Sequence, residues 1–310
     1  MLALLSYLKS STNLPEKGIK NVLQLLDEDA TIPFIARYRK ERTGNLDEVQ
    51  LGEIVKFKEQ FEALEKRKAT ILKALEEQEV LTAELQKQIE NTADATALED
   101  LYLPYKKTRK TKADTARENG LEPLAKIIMA QNTRDLEQAA GRFLNNEVAS
   151  IEEALEGARH IIAEWVNERS DVRNYLRNQI ERYAQIASKV VKSKKDDEKA
   201  LKYKDYFDWE EALNRIPSHR FLALSRAADE GFIRLKLDID IDRALSHIAN
   251  RMVKSRGDCA EQIELAIADA YKRLLFPALS NEALSTAKEK ADAEAISVFA
   301  KNLRQLLLGS

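Results

Sequence analysis

Residues 45–75 read NLDEVQLGEIVKFKEQFEALEKRKATILKAL, and their spacing decides the fold class. Ile54, Phe57, Phe61, Leu64, Ile71 and Leu75 recur at three- and four-residue steps, with Lys68 the single polar interruption in the series. A strand repeats every two residues and a loop holds no period, so this spacing predicts one long helix with one apolar seam. Asn45 followed three residues later by Glu48 has the spacing of a capping box and sets the expected start. Beyond it, Leu81, Leu85 and Ile89 form a shorter stripe behind Thr82. The chain is therefore expected to fold back as a helical hairpin that buries both stripes against each other or against a neighbour.

The same reading extends along the chain. Thr96 with Glu99 predicts a brief helix that Pro104 must end. Ser150 with Glu153 opens a longer one carrying Leu155, Ala158, Ile161, Ile162, Trp165 and Val166. A polar break at 167–171 separates it from another with Val172, Tyr175, Leu176 and Ile180, a pairing compatible with a helix-turn-helix-like arrangement. Lys194, Lys195, Asp196, Asp197 and Glu198 make 192–199 a solvated, mobile connection rather than a phosphate track. Residues 231–239 alternate apolar and polar, the best strand signal present. Its partner is sought near Val190, at 203–207, or in a domain beyond this chain. Helical patterning returns from Arg243 onward, with Ile263, Ala266, Ile267, Ala270, Leu274 and Leu275 on one face. The expected class is mainly α: a multi-helix array with a long hairpin and at most a small β element.

Composition agrees. The 310 residues hold only nine glycines and six prolines, and alanine, leucine, glutamate and lysine dominate. The 50 basic and 52 acidic side chains nearly cancel, so no strong positive field surrounds the whole chain and any polyanion contact must be local. The single cysteine, Cys259, rules out an internal disulfide and fits a reducing compartment. Residues 1–8 are apolar but too short to span a bilayer and lack a secretory leader pattern. A cytoplasmic protein without membrane contact is expected.

A search for chemistry finds little. There is no phosphate-cradling Gly-x-x-x-x-Gly-Lys-Ser/Thr loop and no dinucleotide fingerprint. His160, His219 and His247 are far apart and none stands at metal-ligand spacing with Cys259. His219, just after Pro217, reads as part of a helix start rather than a catalytic group. No catalytic residue, cofactor or metal site is expected.

Two runs stand apart from this helix-forming background. Ile32-Pro33-Phe34-Ile35-Ala36-Arg37-Tyr38-Arg39-Lys40-Glu41 leads to Thr43-Gly44, and Glu99-Asp100-Leu101-Tyr102-Leu103-Pro104-Tyr105 leads into Lys106-Lys107-Thr108-Arg109-Lys110-Thr111-Lys112. The second run, five cations in seven residues behind Tyr102 and Tyr105, mixes groups suited to phosphate contact and base stacking. Its bland alternative is a solvated loop with two core tyrosines, some of whose charge simply faces a helix carbonyl end. In the first run Ile32, Phe34, Ile35 and Tyr38 look like packed core. Arg37, Arg39, Lys40 and Arg42 are therefore read as docking or ion-pairing residues, between helices or between domains.

With Asp205-Tyr206-Phe207-Asp208 and Ile216-Pro217-Ser218-His219-Arg220, these runs resemble, in the same order, the family of the bacterial transcription accessory protein Tex. The resemblance implies a cytoplasmic nucleic-acid-binding factor. In that family a helical N-terminal portion precedes a nuclease-like domain, helix-hairpin-helix elements and an S1 RNA-binding barrel. It covers nearly all of this chain but less than half of a typical member, so the chain is expected to be the front end, stopping before the nuclease-like domain. Three regions are expected: a helical region over 1–120 with the hairpin and basic loop, a helical region over 121–200, and a helical region with a short strand over 201–310.

The expected role is a non-catalytic scaffold that touches RNA or DNA weakly and without sequence preference. Tyr105, Lys106, Lys107, Arg109, Lys110 and Lys112 are the candidate contacts, while by resemblance the main nucleic-acid contact belongs to the absent domains. The alternative is a module in which the seam from Ile54 to Leu75 and the arginine clusters, with Arg37, Arg39, Lys40 and Arg42, dock RNA polymerase, another transcription factor or another Tex domain, without nucleic acid.

Overall fold

The computed structural model describes residues 2–106 and 109–308. The chain divides into two compact units, 1–107 and 108–310. Among the described residues no helix is long and apolar enough to cross a membrane.

The first unit is all helical: α1 (Leu2–Thr12), α2 (Glu16–Asp27), α3 (Ile32–Tyr38), α4 (Glu48–Glu77), α5 (Ala83–Asn91) and α6 (Ala95–Tyr102), which ends in a 3-10 turn at Leu103–Tyr105. The long helix is there, but its cap is not Asn45. Asp47 accepts from the Gln50 N–H at 2.8 Å, and the Gln50 side chain accepts from the Asp47 N–H at 3.0 Å. Asn45 instead takes a left-handed φ of 65° beside Gly44 at 77°, a conformation asparagine and glycine tolerate best. The same shift moves the start of α6 to Asp94, which accepts from the Ala97 N–H at 2.7 Å. Glu99 is thereby released to pair with Arg67 at 2.6 and 3.0 Å.

The seam of α4 serves two cores rather than one. Leu51, Ile54 and Phe57 pack with Leu8, Ile19, Val22 and Ile35 from α1–α3. Leu64, Ile71 and Leu75 pack with Leu85, Ile89 and Leu98 from the folded-back α5 and α6. Lys68 is buried in the seam, its ammonium donating to Glu65 at 2.8 Å and to the Glu90 carbonyl at 2.9 Å. The polar interruption is thus a cross-link: the stem lies along apolar surface while the charge meets the carbonyl end of α5.

The second unit contains α7 (Lys112–Glu118), α8 (Glu122–Ala130), α9 (Leu136–Gly141), α10 (Ile151–Glu168), α11 (Ser170–Tyr183), β1 (Gln185–Val190), β2 (Asp208–Ala212), α12 (Ser218–Asp229), β3 (Ile233–Asp238), α13 (Ile241–Met252), α14 (Asp258–Asp269) and α15 (Phe276–Leu308). Ser150 caps α10 as expected, accepting from the Glu153 N–H at 3.2 Å. Its apolar face, Ala154, Leu155, Ala158, Ile161, Ile162, Ala163 and Val166, is buried against α7, α8, α9 and α14. The break before α11 is the single residue Arg169. The strand over 231–239 pairs with the segment ending at Val190, in an antiparallel sheet of order β2-β1-β3. Residues 203–206 belong to a 3-10 turn that leads into β2 and meets β1 rather than β3, the Tyr206 and Phe207 carbonyls accepting from the Ser188 hydroxyl and the Val190 N–H. The charged stretch after β1 is a short 3-10 turn closed by a Lys194–Asp197 ion pair.

Helix α14 runs into α15 through a π-helical turn, Ala270–Leu275. Pro277 explains it. A proline two residues into α15 has no N–H to donate, and its ring crowds the carbonyl four residues back, at Arg273; a widened turn just ahead of it lets the helix continue.

Close approach across α10 depends on Gly157, where an added Cβ would stand 2.3 Å from Leu121 Cδ1 and 3.4 Å from Ala116 Cβ. Leu121 is itself buried, so its side chain would have to shift to admit the methyl. Gly157→Ala is expected to cost about 1–3 kcal/mol by overpacking despite its better helix propensity. Gly52→Ala on α4, where nothing lies within 4 Å, should stabilise by up to about 1 kcal/mol. Thermal unfolding of the two variants beside wild type tests both signs.

Candidate nucleic-acid interface

In the first unit, α3 is seven residues long and turns only Ile35 fully inward. Phe34 and Tyr38, expected in the core, are 40% and 67% exposed. A helix this short has one inward stripe, and once Ile35 fills it residues one before and three after fall on its flank. The two rings lie 5.3 Å apart, with the Arg39 guanidinium 5.4 Å from the Phe34 ring centre. Arg42 stands 3.7 Å from Glu28 of α2. Arg37 and Lys40 are exposed, and among the described residues no carboxylate lies in ion-pairing range of either.

The basic run crosses the point at which the chain passes from the first unit to the second. On the first side, Tyr102 and Tyr105 are half-buried against the α4–α6 core, with Arg67 5.6 Å over the Tyr102 ring. Lys106 is exposed just past the 3-10 turn. Lys107 lies outside the described residues. On the second side, Arg109 is exposed and Lys110 pairs with Glu118 at 2.5 Å. That acid comes from the far end of α7, which the absence of acids inside the run could not reveal. Thr111 caps α7 in a box with Asp114, whose carboxyl is held below its usual range by the hydrogen bonds from Thr111. Lys112 is exposed on the first turn of α7.

Behind α7 lies an ionisable strip with no single-residue signature in the sequence beyond its four-residue step along α10: Glu156, His160, Glu164 and Glu168. Arg117 ion-pairs with Glu164. The His160 Nδ1 is 3.6 Å from Asp269, and burial, assisted by the charge of Lys112, holds this imidazole below its ordinary range. Asp269 is engaged by Arg273, with contacts of 2.5–3.2 Å. Glu168 is the member left over. Burial first, then the charge of Glu164, push its carboxyl up to about 7 against the weaker pull of Arg117.

Elsewhere His219 is exposed on the first turn of α12, at the rim of an apolar cleft between α12 and α15. Cys259 is buried and its thiol is pushed up by burial. Among the described residues no group of three histidine, cysteine or acidic side chains is placed to hold a metal ion.

Two sequence-family models match the chain: one for a Tex-like protein N-terminal domain over residues 3–76 and one for a Tex central region over residues 131–299. The chain belongs to the Tex family. It is 41% identical over 300 residues to the transcriptional accessory protein Tex of Neisseria gonorrhoeae, covering 94% of this chain and 39% of that protein. It is 37% identical over 316 residues to protein tex of Bordetella pertussis, covering 94% of this chain and 39% of that one. A human S1 RNA-binding domain-containing protein 1 is 28% identical over 319 residues, 98% of this chain and 32% of the relative. The chain therefore spans about two fifths of the length of the curated Tex relatives.

In this Tex chain the α7–α10 strip sets a pH dependence. Glu168 keeps its proton in the folded state between its ordinary 4.5 and about 7, so its contribution to stability is fully present below the lower value and is lost as pH rises through the upper one. Glu168→Gln, which cannot ionise, should raise the melting temperature above wild type at alkaline pH by the equivalent of about 1 kcal/mol, allowing for partial solvent screening. The two proteins should converge below the ordinary carboxylate range. A pH series of thermal melts tests this; an offset independent of pH would overturn it.

Proposed function

We propose that this chain is a non-catalytic helical scaffold within a Tex-type transcription accessory factor, and that it makes weak, sequence-independent contacts of its own to nucleic-acid phosphate. The observation that carries this reading is the pair of exposed cations Lys106 and Arg109, neither matched by a carboxylate among the described residues. They follow the half-buried Tyr105 in the chain, and Lys110 is engaged only at the surface, where an ion pair exchanges readily with phosphate. The S1 RNA-binding domain for which the human relative is named accords with nucleic acid as the family's ligand. The strongest contacts of the full-length factor are assigned to the portion this chain does not span. A cytoplasmic location goes with transcription in the bacteria that carry the Neisseria and Bordetella relatives.

Binding of labelled single-stranded RNA and duplex DNA across a salt series tests the proposal. Wild type is expected to bind with a dissociation constant of about 10⁻⁴ to 10⁻⁶ M, weakening steeply with salt. Reversing Lys106, Arg109 and Lys110 to glutamate should lower the salt slope by about 0.7–0.9 for each phosphate that is no longer neutralised. No binding at low salt, or an unchanged slope, would overturn it.

A second reading is favoured by one observation, the exposed Phe34–Tyr38 pair ringed by Arg37 and Arg39. Aromatic and arginine side chains together are the composition of protein-interface anchors. Here α3 docks RNA polymerase, another transcription factor or another Tex domain without nucleic acid. Phe34→Ala combined with Arg37→Glu should then reduce binding to purified RNA polymerase or downstream Tex domains at least tenfold while leaving oligonucleotide affinity unchanged. The reverse pattern would exclude it.

A further inference from the structure

Helices α11 and α13 meet through side chains in a three-rung ladder. Arg251 donates to Asp171 at 3.1 Å. The His247 ring stacks flat on Tyr175, with centroids 3.5 Å apart and planes 5° from parallel. The Arg243 guanidinium lies 5.6 Å over the ring of Tyr183. The rungs ascend α11 as they descend α13, so the helices run antiparallel. From Asp171 to Tyr183 the ladder extends roughly 18 Å at the α-helical rise.

Along the ladder and the loop beyond it, the cations Arg169, Arg243, Arg251, Lys254 and Arg256 stand beside the acids Asp171, Asp240, Asp242 and Asp258. Asp171 is shared between Arg169, at 2.8 and 2.9 Å, and Arg251, so one carboxylate answers two guanidinium groups. Asp240 caps α13, accepting from the Arg243 N–H at 2.9 Å. Asp242 is the one acid on the exposed part of α13. Past Arg251 the chain continues as a loop carrying the exposed Lys254 and Arg256, for which no ion pair exists among the described residues.

That loop is held. Gln131, in a left-handed conformation with φ 54°, donates to the Met252 carbonyl at 2.7 Å and accepts from the Lys254 and Ser255 N–H groups at 2.7 and 3.2 Å. A side chain more than 120 residues away in sequence thus clamps the backbone from which Lys254 projects. Preorganised cations forfeit less conformational entropy on binding.

We propose that the α11–α13 ridge, from Tyr183 and Arg243 to Lys254 and Arg256, is a track for single-stranded nucleic acid. Lys254, Arg256 and the under-neutralised Arg169–Arg251 pair contact successive phosphates. Tyr183, 53% exposed, and the guanidinium plane of Arg243 provide a stacking surface for a base, the chemistry by which single strands are held without sequence preference. The neutral Tyr175–His247 stack spaces the two ends. Burial and the charges of Arg251 and Arg243 hold His247 below its ordinary range against the opposing pull of Asp171, so the imidazole adds no positive charge that would repel the arginines at neutral pH. The inference rests on the nucleic-acid reading above and adds to it a second contact surface, distant in sequence from the 105–112 run.

The test is binding of labelled oligouridylate and oligodeoxythymidylate to the whole chain in a salt series. Lys254→Glu with Arg256→Glu should weaken both about tenfold and lower the salt slope by about 1.4, the value for two single-strand phosphate contacts. Tyr183→Ala should weaken both about five- to tenfold with the slope unchanged, because it removes stacking and no charge. All three positions are exposed, and unchanged melting temperatures would show that the fold persists. If wild type binds, both ridge variants bind as it does, and only the Lys106, Arg109 and Lys110 reversal weakens binding, the ridge is excluded and the nucleic-acid reading stands. If wild type binds neither oligonucleotide at low salt, that reading falls and the ridge falls with it.

Discussion

Close approach to α10 at Gly157, where an added Cβ would meet Leu121 and Ala116, is the constraint around which the second unit packs. Beside this glycine Ala154, Ala158 and Ala163 keep the buried face slender, so α7, α8, α9 and α14 all reach it. Close packing of this kind gains dispersion energy along every interface and leaves no slack for larger side chains. It also restricts where the ionisable side chains of α10 can go. Glu156, His160, Glu164 and Glu168 share one strip, and the partners available there are fixed by α7 and by the π-helical turn. Arg117 satisfies Glu164, Arg273 satisfies Asp269, and Glu168 is left to hold its proton. The unusual carboxyl is a consequence of burial and of the neighbouring Glu164.

The same constraint runs through the distribution of charge. The chain holds 50 basic and 52 acidic side chains, and several ion pairs tie together elements distant in sequence, such as Arg67 with Glu99 and Arg177 with Glu282. Those pairs position helices and add little net field. The proposed polyanion contacts use cations without a carboxylate partner among the described residues: Lys106 and Arg109 after the 3-10 turn, and Lys254 and Arg256 beyond the C-terminal end of α13.

Periodicity made α4 legible, because its seam is long and its Lys68 interruption keeps register. It could not show that the seam feeds two cores, since spacing along one helix carries no information about which neighbour each residue meets. The cap at Asp47 was missed for a local reason: two capping spacings overlapped, and backbone conformation at Gly44 and Asn45 chose between them; at α6 the spacing of Asp94 with Ala97 likewise overlapped that of Thr96 with Glu99. β3 showed its alternation, whereas β2, DWEEA, lacks an apolar repeat and forms because Phe207 and Trp209 are drawn against the core beside it. Phe34 and Tyr38 were misplaced because composition marks an aromatic residue as apolar without saying which side of a seven-residue helix is inward. The basic run was visible as a string of letters, but its compensating Glu118 was not. The α11–α13 ladder was invisible altogether, being made of pairs separated by 60–80 positions in sequence.

On the proposed reading, weak binding by a charge-balanced scaffold has a calculable reason. With a formal net charge of −2, the chain has no long-range attraction to steer a polyanion toward it, so affinity comes from the few phosphates each local cluster can reach. Each contact with a single strand releases roughly 0.7 of a counterion, and a cluster of three or four cations accordingly gives binding that fades quickly as salt rises. On that reading such contacts would bias where a strand lies once a stronger domain of the same factor holds it, because tethering raises the local concentration of strand at the scaffold. A more basic surface would bind more tightly at the expense of the carboxylates that anchor Lys110, Arg251 and the α7–α10 strip.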